Sequence, residues 1–164
     1  MVKFLLCAAI IGFTCLCGYI FTRRYRQKKN FFSQMLIFNE RFLSELTYFR
    51  RPIQEFVSSY AYRGEFLQLL YDYFHLNKKM NISLQEILKK ETYSFLKPDD
   101  KAIVFNYFSM IGKADSVAQK NYFTSMKETL KLAEAEAIKN NKKYGELYVK
   151  LGFLIGLLIV ILII

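Results

Sequence analysis

Two uncharged stretches frame the chain, and amphipathic helical patterns fill the space between them. Phe4 to Phe21 carries no charge, and a helix of that length covers about 27 Å of hydrocarbon. It passes through Tyr19, Ile20 and Phe21 directly into arginines, with no small-x-small cleavage site, so a membrane helix fits better than a cleaved signal peptide. The second stretch runs from Leu151 to Ile164 and covers only about 21 Å. Starting that helix near Leu147, with Lys150 reaching the interface along its methylene stem, restores most of a span.

Between them, Phe32, Met35, Phe38, Phe42, Leu46 and Phe49 recur at spacings of three and four. The spacing predicts a helix that continues from the first apolar run and ends at Arg51, because Pro52 biases its predecessor away from helix. Pro52 also suits the first position of a new helix, expected to reach about Tyr62. Gly64 separates it from another that carries Phe66, Leu69, Leu70 and Tyr73. Ser83-Leu84-Gln85-Glu86 is a capping box opening a helix expected to end at about Leu96. Lys97-Pro98-Asp99-Asp100 begins the next, which should run to Ile111 and close at Gly112.

A second capping box, Ser116 to Gln119, starts the longest segment, which has no proline from there to Ile164. Tyr122, Phe123, Met126, Leu130, Ala133 and Ala137 mark its buried stripe, and Gly145 is a weak point rather than a stop. The expected fold is all-α, a cytoplasmic bundle of about five or six helices whose first and last members continue into transmembrane segments. The expected division is a transmembrane helix at 1–22, a helical bundle at 23–146 and a second transmembrane helix at 147–164.

Charge sharpens this picture. The formal net charge is +10, but position matters more than the sum. Arg23, Arg24, Arg26, Lys28 and Lys29 follow the first apolar run, while Lys142, Lys143 and Lys150 approach the last. Basic residues beside spans mark cytoplasmic loops and contact with anionic headgroups, so membrane lipids are the expected partner at these positions. The same rule puts the central segment in the cytoplasm, with both termini directed outward. No recognition motif accompanies the charge, and nucleic acid is not an expected partner. Ala8 and Gly12 form a small-xxx-small pair, extended by Cys15, and Gly152 and Gly156 repeat the device. Such faces let membrane helices approach closely.

Candidate chemistry is sparse. All three cysteines lie in the first apolar run, which leaves no disulfide framework and no Cys-rich zinc site for the remainder. The single histidine, His75, has no cluster of carboxylates or thiols around it in the sequence and makes a poor metal site. Asp99 and Asp100 are explained by their place in the first turn of a helix. Gly112-Lys113 lacks the upstream glycine of a phosphate loop. The expectation is a protein that is not an enzyme, with no cofactor, no metal and no small-molecule substrate. Aromatic content is high, with 16 Phe and 12 Tyr. Much of it must fill a core, while Tyr60 and Tyr62 are candidates for contact with a protein partner.

Several local patterns resemble the stage III sporulation protein AB family of endospore-forming bacteria. Glu45-Leu46-Thr47-Tyr48 followed by Pro52-Ile53 is similar to that family's Glu-Ile-x-Tyr-x-x-x-Pro-Leu segment. Phe108-x-x-Ile111-Gly112-x-x-Asp115 with Gln119 resembles its Phe…Leu-Gly-x-x-Asp…Gln segment, and Leu151 to Leu162 resembles its closing run almost throughout. Tyr144-Gly145-Glu146 departs from the usual Asn-Glu-Lys stretch, and residues 60–97 carry little of the likeness. The resemblance implies a two-pass membrane protein of the mother-cell membrane facing the forespore. It further implies a non-enzymatic platform subunit of a secretion-like channel complex, akin to the platform proteins of type II secretion and type IV pilus machines. Its implied partners are a secretion-type ATPase, stage III sporulation protein AA, and other subunits of that complex. The alternatives are a membrane-active or pore-forming small protein, or a generic membrane-anchored interaction module.

Overall fold

The computed structural model describes residues 2–49, 64–80, 83–111 and 116–163. Every regular element among them is helical. Helix α1, Val2–Ser44, carries the first apolar run and the Phe32–Phe42 pattern without interruption. It passes into a π-helical stretch, Glu45–Phe49. Two hydroxyls bond back to carbonyls here, Ser44 Oγ to Glu40 at 3.2 Å and Thr47 Oγ1 to Leu43 at 2.8 Å, a habit that loosens and bends helices. Helix α2 is Glu65–Met80, α3 Leu84–Lys89, α4 Pro98–Met110 and α5 Ser116–Ile163. The predicted helix from Pro52, its continuation to Arg51, and the Gly112 stop lie outside the described residues.

One boundary differs from the sequence expectation. The helix opened by Ser83 ends at Lys89 rather than near Leu96, and a single 3-10 turn, Glu91–Tyr93, follows. Lys90 is extended, with φ −56° and ψ 146°. A straight helix would spread Tyr93, Phe95 and Leu96 around its circumference. The break lets all of them be buried together with Leu84, Ile87 and Leu88. The capping box itself forms, with Ser83 Oγ accepting from the Glu86 amide at 3.3 Å and Glu86 Oε2 from the Ser83 amide at 3.0 Å. At the start of α2, Gly64 adopts φ +106°, and a Cβ there would strike the Gln34 amide. That position requires glycine.

The chain divides into two compact units, Lys28–Glu136 and a second made of Met1–Gln27 with Ala137–Ile164. In the first, an aromatic core forms around Phe66. Its ring meets Phe31 at 5.5 Å and Phe38 at 5.6 Å, both edge-on. Phe123 meets Phe42 and Tyr107, each at 5.0 Å. Edge-to-face geometry at these distances adds to simple burial, so part of the high aromatic content is core packing. In the second unit, α1 and α5 run antiparallel and the exposed faces are apolar: Phe13, Leu16 and Ile20 on α1, and Leu154, Leu158 and Ile161 on α5.

Among the described residues, one helix is long and apolar enough to cross a membrane, Val117–Leu162, and only 11 % of its apolar window is buried. The first apolar run begins in residues whose side chains lie outside those described.

Candidate functional site

The contact between α1 and α5 in the unit of residues 1–27 and 137–164 rests on missing side chains. A Cβ on Gly152 would stand 2.6 Å from the Thr14 carbonyl oxygen, and one on Gly18 would stand 2.5 Å from that of Tyr148. At Gly156 a Cβ would meet Thr14 Oγ1, with Ile11 Cα 3.1 Å away. No side chain fits where backbones approach so closely. The hydroxyl of Thr14 is tied down within its own helix, donating to the carbonyls of Ile11 at 3.0 Å and Ile10 at 3.2 Å. Gly152 and Gly156 thus sit on this contact. Gly12 does not: nothing lies within 4 Å of a Cβ there, and Ala8 is exposed beside it. The sequence pattern missed Gly18, although Ile11, Thr14 and Gly18 share a helical face at the proper spacing.

Where the apolar faces end, tyrosines take over. Tyr25 stacks on Tyr144 at 4.9 Å and approaches Tyr148 at 6.1 Å, while Phe21 meets Tyr148 at 6.1 Å. Tyr144, Tyr148, Gly152 and Gly156 are each four residues apart, one stripe whose residues are large at the polar end and absent at the apolar end. Partial burial, then the neighbouring Tyr148 hydroxyl, raises the Tyr25 phenol above its ordinary value.

The basic residues separate into two kinds. Arg23, Arg24, Lys142 and Lys143 are exposed. Lys143 Nζ lies 5.2 Å from the centre of the Tyr144 ring. Arg26 Nη1 donates to the Tyr19 hydroxyl at 2.7 Å, its guanidinium 5.1 Å from that ring's centre. Lys150 reaches toward Glu146, 3.8 Å away, in an exposed pair. Lys28 corrects the sequence reading. It is buried in the other unit, where its ammonium lies 2.8 Å from Asp100 Oδ1. A helical position just beyond an apolar run can face either lipid or core, and the spacing did not separate the two. Lys29 is half-buried in the same unit.

That unit holds further polar links. Ser33 donates to Glu134, and Asn39 Nδ2 donates to the Phe123 carbonyl at 3.1 Å, both joining α1 to α5. Asp100 does more than begin α4: its Oδ2 also accepts the Lys97 amide at 2.9 Å. His75 is exposed, stacks on Tyr71 at 3.8 Å, and lies 3.2 Å from the Tyr71 carbonyl through Nδ1. Among the described residues, no three of His, Cys, Asp or Glu gather as metal ligands. Tyr60 and Tyr62 lie outside the described residues.

What this arrangement offers is a close helix pair with an apolar exterior and a cationic, aromatic edge. No curated protein and no solved structure matches the chain. The family model described as stage III sporulation protein AB matches residues 3–164, nearly the whole length. With its all-helical fold and apolar closing helix, the chain belongs to the stage III sporulation protein AB family.

Proposed function

We propose that this chain is a non-enzymatic platform subunit of a membrane complex assembled at stage III of sporulation, coupling a cytoplasmic ATPase to components in the membrane. Its partners on this reading are the family's neighbouring secretion-type ATPase, stage III sporulation protein AA, and other subunits of the same complex. The observation that carries the reading is the sharing of two helices. α1 and α5 each contribute residues both to the aromatic-cored unit and to the unit with the apolar exterior. A protein whose long helices serve both a packed domain and a membrane-directed pair can pass a displacement along them without performing chemistry.

The membrane reading has two parts. The closing helix has the length and composition to span. The first apolar run is proposed as a second span, supported by its glycine-lined contact with α5 and by the basic residues that follow it. The same charge rule supports a cytoplasmic location for residues 23–150, on the mother-cell side. The test is co-purification of the full chain with that ATPase from detergent extracts of sporulating cells. Association that survives moderate salt supports the platform role, and repeated absence of the ATPase removes it.

A further inference from the structure

Charge is distributed one-sidedly in the unit formed by residues 1–27 and 137–164. Among its described side chains, Arg23, Arg24, Arg26, Lys139, Lys142, Lys143 and Lys150 face a single acid, Glu146, which pairs with Lys150. Arg23, Arg24, Lys139, Lys142 and Lys143 make no ion pair among the described residues, Lys143 lying over the Tyr144 ring. Every other acid of the chain falls within Lys28–Glu136. There Lys28, Lys127 and Lys131 are paired with Asp100, Glu40 and Glu128.

The exposed cations nearest the apolar faces share one level along the helix pair. Because α1 and α5 run antiparallel and Tyr25 stacks on Tyr144, Arg23 and Arg24 fall within a turn of Lys142 and Lys143 on the opposite helix. All four are exposed. Arg26 points back along α1 to Tyr19, held by the hydroxyl and the ring face. On the same two helices, exposed apolar side chains begin at once: Phe21 and Ile20 on one, Leu151 and Leu154 on the other.

Like charges at one level of a helix pair repel unless anions lie beside them. The apolar continuation decides which anion. A soluble acidic protein or free phosphate would neutralise the cations and leave the neighbouring Phe, Ile and Leu in water, whereas a lipid supplies phosphate and hydrocarbon together. Tyrosines at the junction suit the same boundary.

We propose that Arg23, Arg24, Lys142 and Lys143 form a belt of headgroup contacts for anionic phospholipid around the helix pair, with Arg26 locked to Tyr19 at its lower edge. The proposal rests on the membrane reading of the closing helix. It adds selectivity to that reading: the protein prefers a lipid bearing net negative charge over a zwitterionic one.

The test uses the full chain reconstituted in phosphatidylcholine bilayers, read by spin resonance of trace spin-labelled phosphatidylglycerol or phosphatidylcholine. The fraction of each label immobilised at the protein surface gives their relative association. The expected result is a preference for phosphatidylglycerol. In the variant combining Arg23→Gln, Arg24→Gln, Lys142→Gln and Lys143→Gln it should fall, by up to about fivefold per charge, the equivalent of about 1 kcal/mol per Lys or Arg beside an anionic surface. Replacing the exposed Lys89 and Lys90 by Gln should leave it intact. Equal immobilisation of both labels by the inserted native protein overturns the proposal and leaves the cations to a protein partner. Loss of the preference on adding inorganic phosphate, at constant ionic strength, overturns the lipid assignment in favour of a free anion. Failure of the chain to enter the bilayer strikes at the membrane reading itself, which is a separate result.

Discussion

Lys28 Nζ lies 2.8 Å from Asp100 Oδ1, with each side chain only 9 % exposed. The other Asp100 oxygen accepts the Lys97 amide that precedes α4. One carboxylate therefore neutralises a buried cation and caps a helix. Removing it alone would strand the ammonium beside Phe32, whose ring centre is 5.8 Å away. Asp100→Ala should cost about 3–5 kcal/mol, the usual effect of leaving a buried charge unpaired. Lys28→Met combined with Asp100→Asn should recover most of that loss, because the charge is gone and the amide oxygen can still cap. Thermal unfolding of the detergent-purified full chain, followed by circular dichroism, measures both.

The glycine contacts make a sharper contrast. Gly18→Val or Gly152→Val would drive a side chain into a facing backbone carbonyl, and overpacking of this kind costs about 1–3 kcal/mol. Gly12→Val meets open space and should fall within about 0.5 kcal/mol of the native protein. Comparable losses at all three positions, in the same unfolding assay, would contradict the described pairing of α1 with α5.

Tyr107 supplies a pH dependence. Its ring is fully buried, and its hydroxyl has no partner among the described residues. Burial, with a smaller effect from Tyr122, pushes the phenol well above its ordinary value. A group whose pKa is raised by folding contributes stability that is complete below the unfolded value, about 10 for tyrosine, and is lost as pH climbs through the folded one. The protein should therefore lose stability above about pH 10, the ordinary tyrosine value. Tyr107→Phe should reduce that loss without abolishing it, since burial also raises Tyr93 and Tyr122. At neutral pH the same substitution should be neutral or stabilising, because it deletes an unsatisfied polar group. Denaturant melts at neutral and alkaline pH separate the two effects.

These contacts also mark where sequence patterns stop being informative. The stripe from Phe32 to Phe42, the Ser83 capping box and the proline-started helix at Pro98 were all legible, because each depends on spacing within a few residues. Lys28 was not. Its neighbours in sequence are the cations of a membrane border, and only its distance to Asp100, far along the chain, shows that it faces a core. Gly18 was overlooked for a similar reason. A small residue matters only opposite another backbone, and the register that sets it opposite Tyr148 belongs to the packed pair. The early end of α3 reflects tertiary demand as well: burying Tyr93, Phe95 and Leu96 together outweighs continuation of a helix that the local sequence tolerates.

On the proposed two-pass topology both termini face outward and the helical domain between the spans lies in the cytoplasm. Single cysteines, introduced after replacing Cys7, Cys15 and Cys17 with alanine, can report this at Lys3, Lys89 and Ile164. With the chain expressed in the plasma membrane of vegetative cells, a membrane-impermeant maleimide applied to intact protoplasts should label Lys3→Cys and Ile164→Cys, and reach Lys89→Cys only after permeabilisation. Labelling of Lys89→Cys from outside, or protection of both ends until the membrane is opened, would contradict it.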